Sequence, residues 1–170
     1  MNSQRILLVG ALLLFLSSTM YGLFYDGFLQ QAQQQSLLYN LDMAINMATK
    51  GDLITASAFT QQFAVENRAK DIQARIPLHL AIAGAMATAP ALLLPKLDIS
   101  EPLKQVLALL IVFGGAVLAS GDFIQSGGQH QLGYYVTMAG YAWIVLGLTG
   151  YFLSNLISNW LQGETRKKRG

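Results

Sequence analysis

Apolar positions fall along this chain in four long runs separated by polar stretches. Crossing about 30 Å of hydrocarbon at 1.5 Å per helical residue takes roughly 20 apolar residues. The runs occupy 6–24, 76–94, 105–121 and 132–157. They are bounded by Arg5 and Asp26, by Arg75 and Lys96, and by Lys104 and Asp122, with Trp160 just beyond the last. The pattern predicts an all-α integral membrane protein, a four-helix bundle forming a single membrane domain over 1–170. Arg5 ahead of the apolar core 6–16 also fits a secretory signal. However, Ser17-Ser18-Thr19-Met20 is a poor cleavage site and the apolar character continues to Phe24, so the first run is read as an uncleaved span.

The stretch 26–75 is polar but patterned. Leu38, Leu41, Ile45 and Ala48 recur at spacings of three and four, which makes one amphipathic helical face. Lys50-Gly51-Asp52 reads as a stop and restart, with Gly51 as C-terminal cap and Asp52 as N-cap. A second helical pattern follows through Phe59, Phe63, Ala69, Ile72 and Ile76 and runs into the second span, where Pro77 is expected to kink it or start a new helix. The segment therefore predicts an extramembrane helical hairpin between spans 1 and 2. The run Gln30-Gln31-Ala32-Gln33-Gln34-Gln35 reads as a solvated helix start. The hairpin serves as a structural cap or as a docking surface.

Lipid is as apolar as leucine, so membrane helices associate through close fit at small residues. Gly133, Gly140, Gly147 and Ser154 recur every seven residues, a seam with the period of a left-handed bundle. Gly114 and Gly121 repeat that spacing, Gly115 with Ala119 forms a small-x-x-x-small pair, and the second span is small at Ala81, Gly84, Ala85, Thr88 and Ala91. These positions suit packing within the bundle or between copies. Tyr21, Phe24, Tyr25, Tyr134, Tyr135 and Trp160 read as interfacial anchors, and Tyr141 and Trp143 as bundle packing.

Composition agrees with the pattern. Of 170 residues, 53% are hydrophobic and 12% charged, about half the charged share of a soluble domain, and mean hydropathy is +0.40. Four of the eleven basic residues, Arg166, Lys167, Lys168 and Arg169, follow the last apolar run, in a basic tail at 161–170. Beside a hydrophobic helix such a tail marks a cytoplasmic end and not a nucleic-acid site. Lys96 and Lys104 share that side, so both termini are expected in the cytoplasm of a cell inner (plasma) membrane, with 26–75 and 122–131 facing outward. Lys50, Arg68, Lys70 and Arg75 run against this rule, but Asp42, Asp52, Glu66 and Asp71 lie among them, and long loops translocate largely regardless of charge. Cysteine is absent, which excludes thiolate chemistry and disulfides within the chain.

Candidate chemistry narrows to two histidines. The chain holds no phosphate-binding glycine loop, no His-Glu-x-x-His and no nucleophile elbow. His79 lies one turn inside the outer end of the second span and His130 just before the fourth, level with Asp122 and Asp26. Ionisable groups beside a span are costly and often functional. His79 and His130 are therefore candidate ligands of a haem b or a metal ion, with Asp122 as third ligand or as partner of a ligand. They are alternatively a proton-responsive or quinone-contacting pair, or structural residues, His79 bonded within the bundle and His130 in a wet loop. The glycine-rich stretch 120–130 is expected to fold as a tight loop over the bundle mouth. No span carries a charge at its centre, which weighs against a transporter.

Gly10-Ala11-Leu12-Leu13, His79-Leu80-Ala81, Ser120-Gly121 and Gly140…Leu146-Gly147, taken in order, resemble the small four-span membrane protein family of unknown function found in bacteria and eukaryotic organelles. The resemblance implies the four-span topology and no activity. With no reactive constellation and several association seams, the expected role is a non-catalytic accessory or scaffold subunit of a membrane complex. Its partners would be the lipid bilayer and either other membrane subunits or further copies of itself. The alternative is a redox membrane protein using His79 and His130.

Overall fold

The computed structural model describes residues 2–93 and 99–167, without the side chains at 158–159 and from 161 onward. Leu94, Pro95, Lys96 and the basic side chains of the tail thus lie outside the described residues. The described chain is helical between short turns. Helix α1 is Ser3–Phe24, α2 is Gln30–Thr49, α3 is Leu53–Leu93, α4 is Glu101–Ser126 and α5 is His130–Lys167. Four helical stretches, including all four predicted runs, are long and apolar enough to cross a membrane.

No break separates the first apolar run from the polar segment after it. A single π-helical turn, Tyr25–Leu29, joins α1 directly to α2. The wider turn keeps the backbone hydrogen-bonded, so Ser3–Thr49 forms one continuous helical stretch. Tyr25 within it is buried, and its hydroxyl donates to the Lys70 carbonyl at 3.3 Å, tying the π turn to α3.

The stop and restart at Gly51 follows the sequence. Gly51 adopts φ +83°, its N–H bonds the Ala48 carbonyl and the Asp52 N–H bonds that of Met47. That is the Schellman pattern, in which a left-handed glycine satisfies carbonyls the helix end leaves open. Asp52 Oδ1 then accepts from the Thr55 N–H at 3.1 Å and caps α3. These hydrogen bonds from Thr55 hold the exposed Asp52 carboxyl below its ordinary range.

No new helix starts at Pro77, and α4 outruns its expected end. Helix α3 runs through both Pro77 and Pro90 without interruption, 41 residues or about 60 Å. Pro77 removes one donor, and neighbours support the backbone there: Ser18 Oγ donates to the Pro77 carbonyl at 2.7 Å. Helix α4 does not end at Gly121. It continues to Ser126 and closes on a second Schellman turn, with Gly128 at φ +94° and the Gln129 N–H reaching the Ile124 carbonyl. The expected loop over 122–131 thus shrinks to Gly127–Gln129, and Asp122 becomes a helical residue.

Helices α1, α3 and α4 pack on one another, while α5 lies along α4 and scarcely meets α3. The four long apolar helices thus form a three-helix cluster with a flanking fourth helix, less symmetric than a four-way bundle. One end of the cluster, the terminal end, carries Ser3 and Glu101: the Ser3 N–H donates to Glu101 Oε1 at 2.6 Å. The other, the hairpin end, carries the π turn between α1 and α2 and the α4–α5 turn. The interior mixes small residues, Ala11, Ala83, Ala87, Ala91 and Ala108, with large ones such as Leu7, Ile76 and Ile111, while Leu12, Leu13, Leu16, Met20 and Leu23 of α1 are exposed.

The glycines predicted to form a seam lie between α4 and α5. A Cβ on Gly140 would stand 2.5 Å from the Leu118 amide nitrogen and 2.8 Å from the Gly114 carbonyl oxygen. Gly133 likewise approaches Gly121 and Gln125, and Gly147 approaches Leu107 and Ile111. Gly115 faces the opposite way, toward Ala83 of α3 and Leu14 of α1, and Ala119 is buried with them. Ser154 is half-buried at the next heptad position.

Candidate functional site

Near the hairpin end, α3, α4 and α5 each contribute one polar side chain to a common point. His79 Nδ1 lies 2.5 Å from Asp122 Oδ2, and the Tyr141 hydroxyl lies 3.2 Å from His79 Nε2. The Tyr141 ring meets the imidazole edge-on, with centroids 5.9 Å apart at 77°. The Asp122 side chain is 5% exposed and that of His79 17%.

Each position has a local cause. Asp122 is placed inward because α4 continues past Gly121, whose missing side chain lets α5 close against the same turn. His79 is presented by the unbroken helix through Pro77. Tyr141 follows Gly140 on the seam, and its ring projects past the α4 contact toward α3, where it is 41% exposed.

The protonation logic follows from the donors available. An ionised carboxylate only accepts, so Nδ1 carries the hydrogen toward Asp122. In the neutral imidazole Nε2 is then an acceptor, and the tyrosine hydroxyl donates to it. The chain Tyr141–His79–Asp122 is closed: both imidazole nitrogens and the tyrosine hydroxyl have partners. Polar pairs between membrane helices average about 0.6 kcal/mol and reach about 1.7. Leaving one partner buried alone costs more than the pair yields. The trio therefore sets register among three helices more than it adds stability.

The structure separates the residues predicted to act together. It brings His79 and Asp122 into contact and adds Tyr141, which had been assigned to bundle packing. It does not bring in His130, which opens α5 eleven residues before Tyr141, about 16 Å along the helix. Among the described residues no three His, Asp or Glu side chains gather as a metal-holding group, so the set His79, His130 and Asp122 is not assembled. The Nε2 that a haem iron would take already faces Tyr141. His130 is half-buried, and its Nδ1 has no hydrogen-bond partner among the described residues. Asp26 sits exposed in the π-helical turn, and Trp143 is 40% exposed on the outside of α5 and not packed within the cluster.

An apolar cleft of about 120 Å³ lies beside the trio between α3 and α5, with Ile82, Met86, Leu118 and Ile144 in its wall and His79 and Tyr141 at one end.

A second polar node joins α2 to α3. Glu66 Oε2 accepts from Ser36 Oγ at 2.7 Å and from Asn40 Nδ2 at 2.9 Å, and Glu66 Oε1 accepts from Gln62 at 3.2 Å. Asn40 is 2% exposed, packed on the same face as Leu37 and Ala44. The predicted amphipathic face of α2 is thus rotated away from the intrachain contact. Leu38, Leu41 and Ile45 are 66%, 43% and 56% exposed. The glutamate explains the rotation: a carboxylate facing α2 needs donors, and only the Ser36–Asn40 face supplies them. The facing positions on α3 follow the sequence, with Phe59, Phe63 and Ala69 half-buried and Ile72 and Ile76 buried.

No protein-family model, curated protein or solved structure gives a significant match to this chain.

Proposed function

We propose that this chain is a multi-pass membrane protein acting as a non-catalytic accessory or scaffold subunit, docking a partner on the open face of α2. The membrane reading is supported by the outer surface, where many leucine and phenylalanine side chains of the apolar helices are exposed, since apolar surface of that extent marks lipid or protein contact. The spans sit in the inner membrane with both termini cytoplasmic, and α2 with the first half of α3 forms a hairpin outside it. That orientation comes from the basic residues near the terminal end. The resemblance to the four-span family rests on its short motifs and adds topology alone.

One observation carries the subunit reading. On α2 the residues Leu38, Leu41 and Ile45 form an apolar stripe that none of the described residues covers, while Glu66 holds the opposite face in place. A hairpin that served only as a cap would turn that stripe inward. The closed trio at His79 supports the same reading, because its groups are engaged with each other. The test is the mass of the native particle in mild detergent. A particle much heavier than the 18.5 kDa chain, reduced by Leu41→Asp with Ile45→Asp while helicity is kept, is expected. A monodisperse single chain overturns the reading.

A further inference from the structure

A cavity of about 420 Å³ opens at the hairpin end between α3 and the last turns of α4, apart from the trio and bordered on α4 by Gln125, which also packs against Gly133 of the seam. Arg68 and Arg75 line it two turns apart on one face of α3, with Asp71 between them and Gln125 of α4 opposite. Its remaining wall is amphipathic, with Phe63 and Ile72 beside Asn67 and Thr60. Neither guanidinium has a hydrogen bond or an ion pair among the described residues. Two arginines that could neutralise neighbouring carboxylates instead border open space.

We propose that this cavity binds the phosphate group of a membrane lipid headgroup, held by Arg68 and Arg75. The placement supplies the first argument. Arg75 immediately precedes the apolar run that begins at Ile76, so it stands at headgroup depth if α3 crosses the bilayer. Chemistry supplies the second. Guanidinium forks match phosphate oxygens in paired hydrogen bonds, and such bonds are strongest where water is partly excluded. Charge supplies the third. Two arginines and one aspartate leave the lining at +1, which matches the single charge of a phosphodiester better than inorganic phosphate, whose charge at pH 7 is larger. Phe63 and Ile72 lie on the outer side of Arg75 and would wall the headgroup, while the acyl chains would run the other way, past Ile76. The site rests on the membrane reading and is independent of the subunit reading.

The test measures bound lipid on the full chain released from nanodiscs into mild detergent, by native mass spectrometry. One set of discs contains phosphatidylethanolamine with phosphatidylglycerol, and the other a phosphate-free galactolipid. The wild type is expected to retain phospholipid, and Arg68→Ala with Arg75→Ala to retain about tenfold less. Lys50→Ala, on the hairpin but outside the cavity, should match the wild type, and the double lysine variant should fall between. Displacement of the lipid by inorganic phosphate at millimolar concentration would support the phosphate site with a soluble source. Equal phospholipid retention by the double alanine variant, or equal retention of galactolipid by the wild type, overturns the proposal. A chain that fails to enter nanodiscs at all overturns the membrane reading instead.

Discussion

His79 Nδ1 stands 2.5 Å from Asp122 Oδ2, on helices whose pairing residues are far apart in sequence. This contact joins two ionisable groups at the edge of an apolar region through one hydrogen bond, and Tyr141 extends it from the third helix.

Removing the acid should therefore expose the cost that the pair conceals. Asp122→Ala leaves the imidazole N–H without its acceptor and is expected to destabilise the fold by about 1–3 kcal/mol. Asp122→Asn keeps an acceptor and should lose less. Tyr141→Phe, at a partly exposed position, should cost about 0.5–1.5 kcal/mol. A double-mutant cycle between Asp122→Asn and Tyr141→Phe, read by unfolding in detergent, should show coupling, whereas strict additivity would mean the two bonds are independent.

The glycine seam makes a sharper steric prediction. A Cβ at Gly140 falls within 2.8 Å of backbone atoms of Leu118 and Gly114, so α4 and α5 must part to admit it. Gly140→Ala is expected to destabilise by about 1–3 kcal/mol. Gly22→Ala is the control, since its Cβ would meet only Pro77 at an ordinary 3.7 Å. Equal thermal stability of the two variants would show that the seam is not a tight contact.

The four spans and this seam were legible because each has its own period in the sequence. The site was half legible. His79 and Asp122 stood out as ionisable groups beside apolar runs, but nothing in their spacing joins residues on different helices. Asp122 was assigned to a loop because Gly121, Gly127 and Gly128 read alike as punctuation. Only Gly128 needs a left-handed backbone, while Gly121 is there for close approach to α5. Tyr141 was read as packing because an aromatic residue deep in a span gives no sign of its partner. In α2 the periodicity identified a real stripe, but which side α3 covers was decided by Glu66, a single polar residue on the neighbouring helix.

Glu66 accordingly governs the hairpin. Glu66→Ala orphans the buried Asn40 amide and should cost about 1–3 kcal/mol locally. Hydrogen exchange should quicken across α2 while the amides of α4 stay protected. Uniform acceleration throughout the chain would show that the hairpin is not a separable unit.

Acidification acts on the hairpin turn through Asp52. Hydrogen bonds from Thr55 lower its carboxyl in the folded state from the ordinary 3.8. Its contribution is therefore present above that value and fades as pH falls through the lowered folded value. Exchange at Thr55 and its neighbours is expected to rise over that acidic window in the wild type. In Asp52→Asn the local pH response should be absent, and its persistence would assign the response to another group.

The central claim is that the stripe on α2 is an interface, and a photo-crosslinking residue placed at position 41 or 45 in the native membrane tests it most directly. The account predicts a discrete protein adduct of constant mass from both positions and none from position 46, an exposed polar residue about 100° around the same helix from the stripe. Lipid adducts alone, or the same adducts from all three positions, would contradict it.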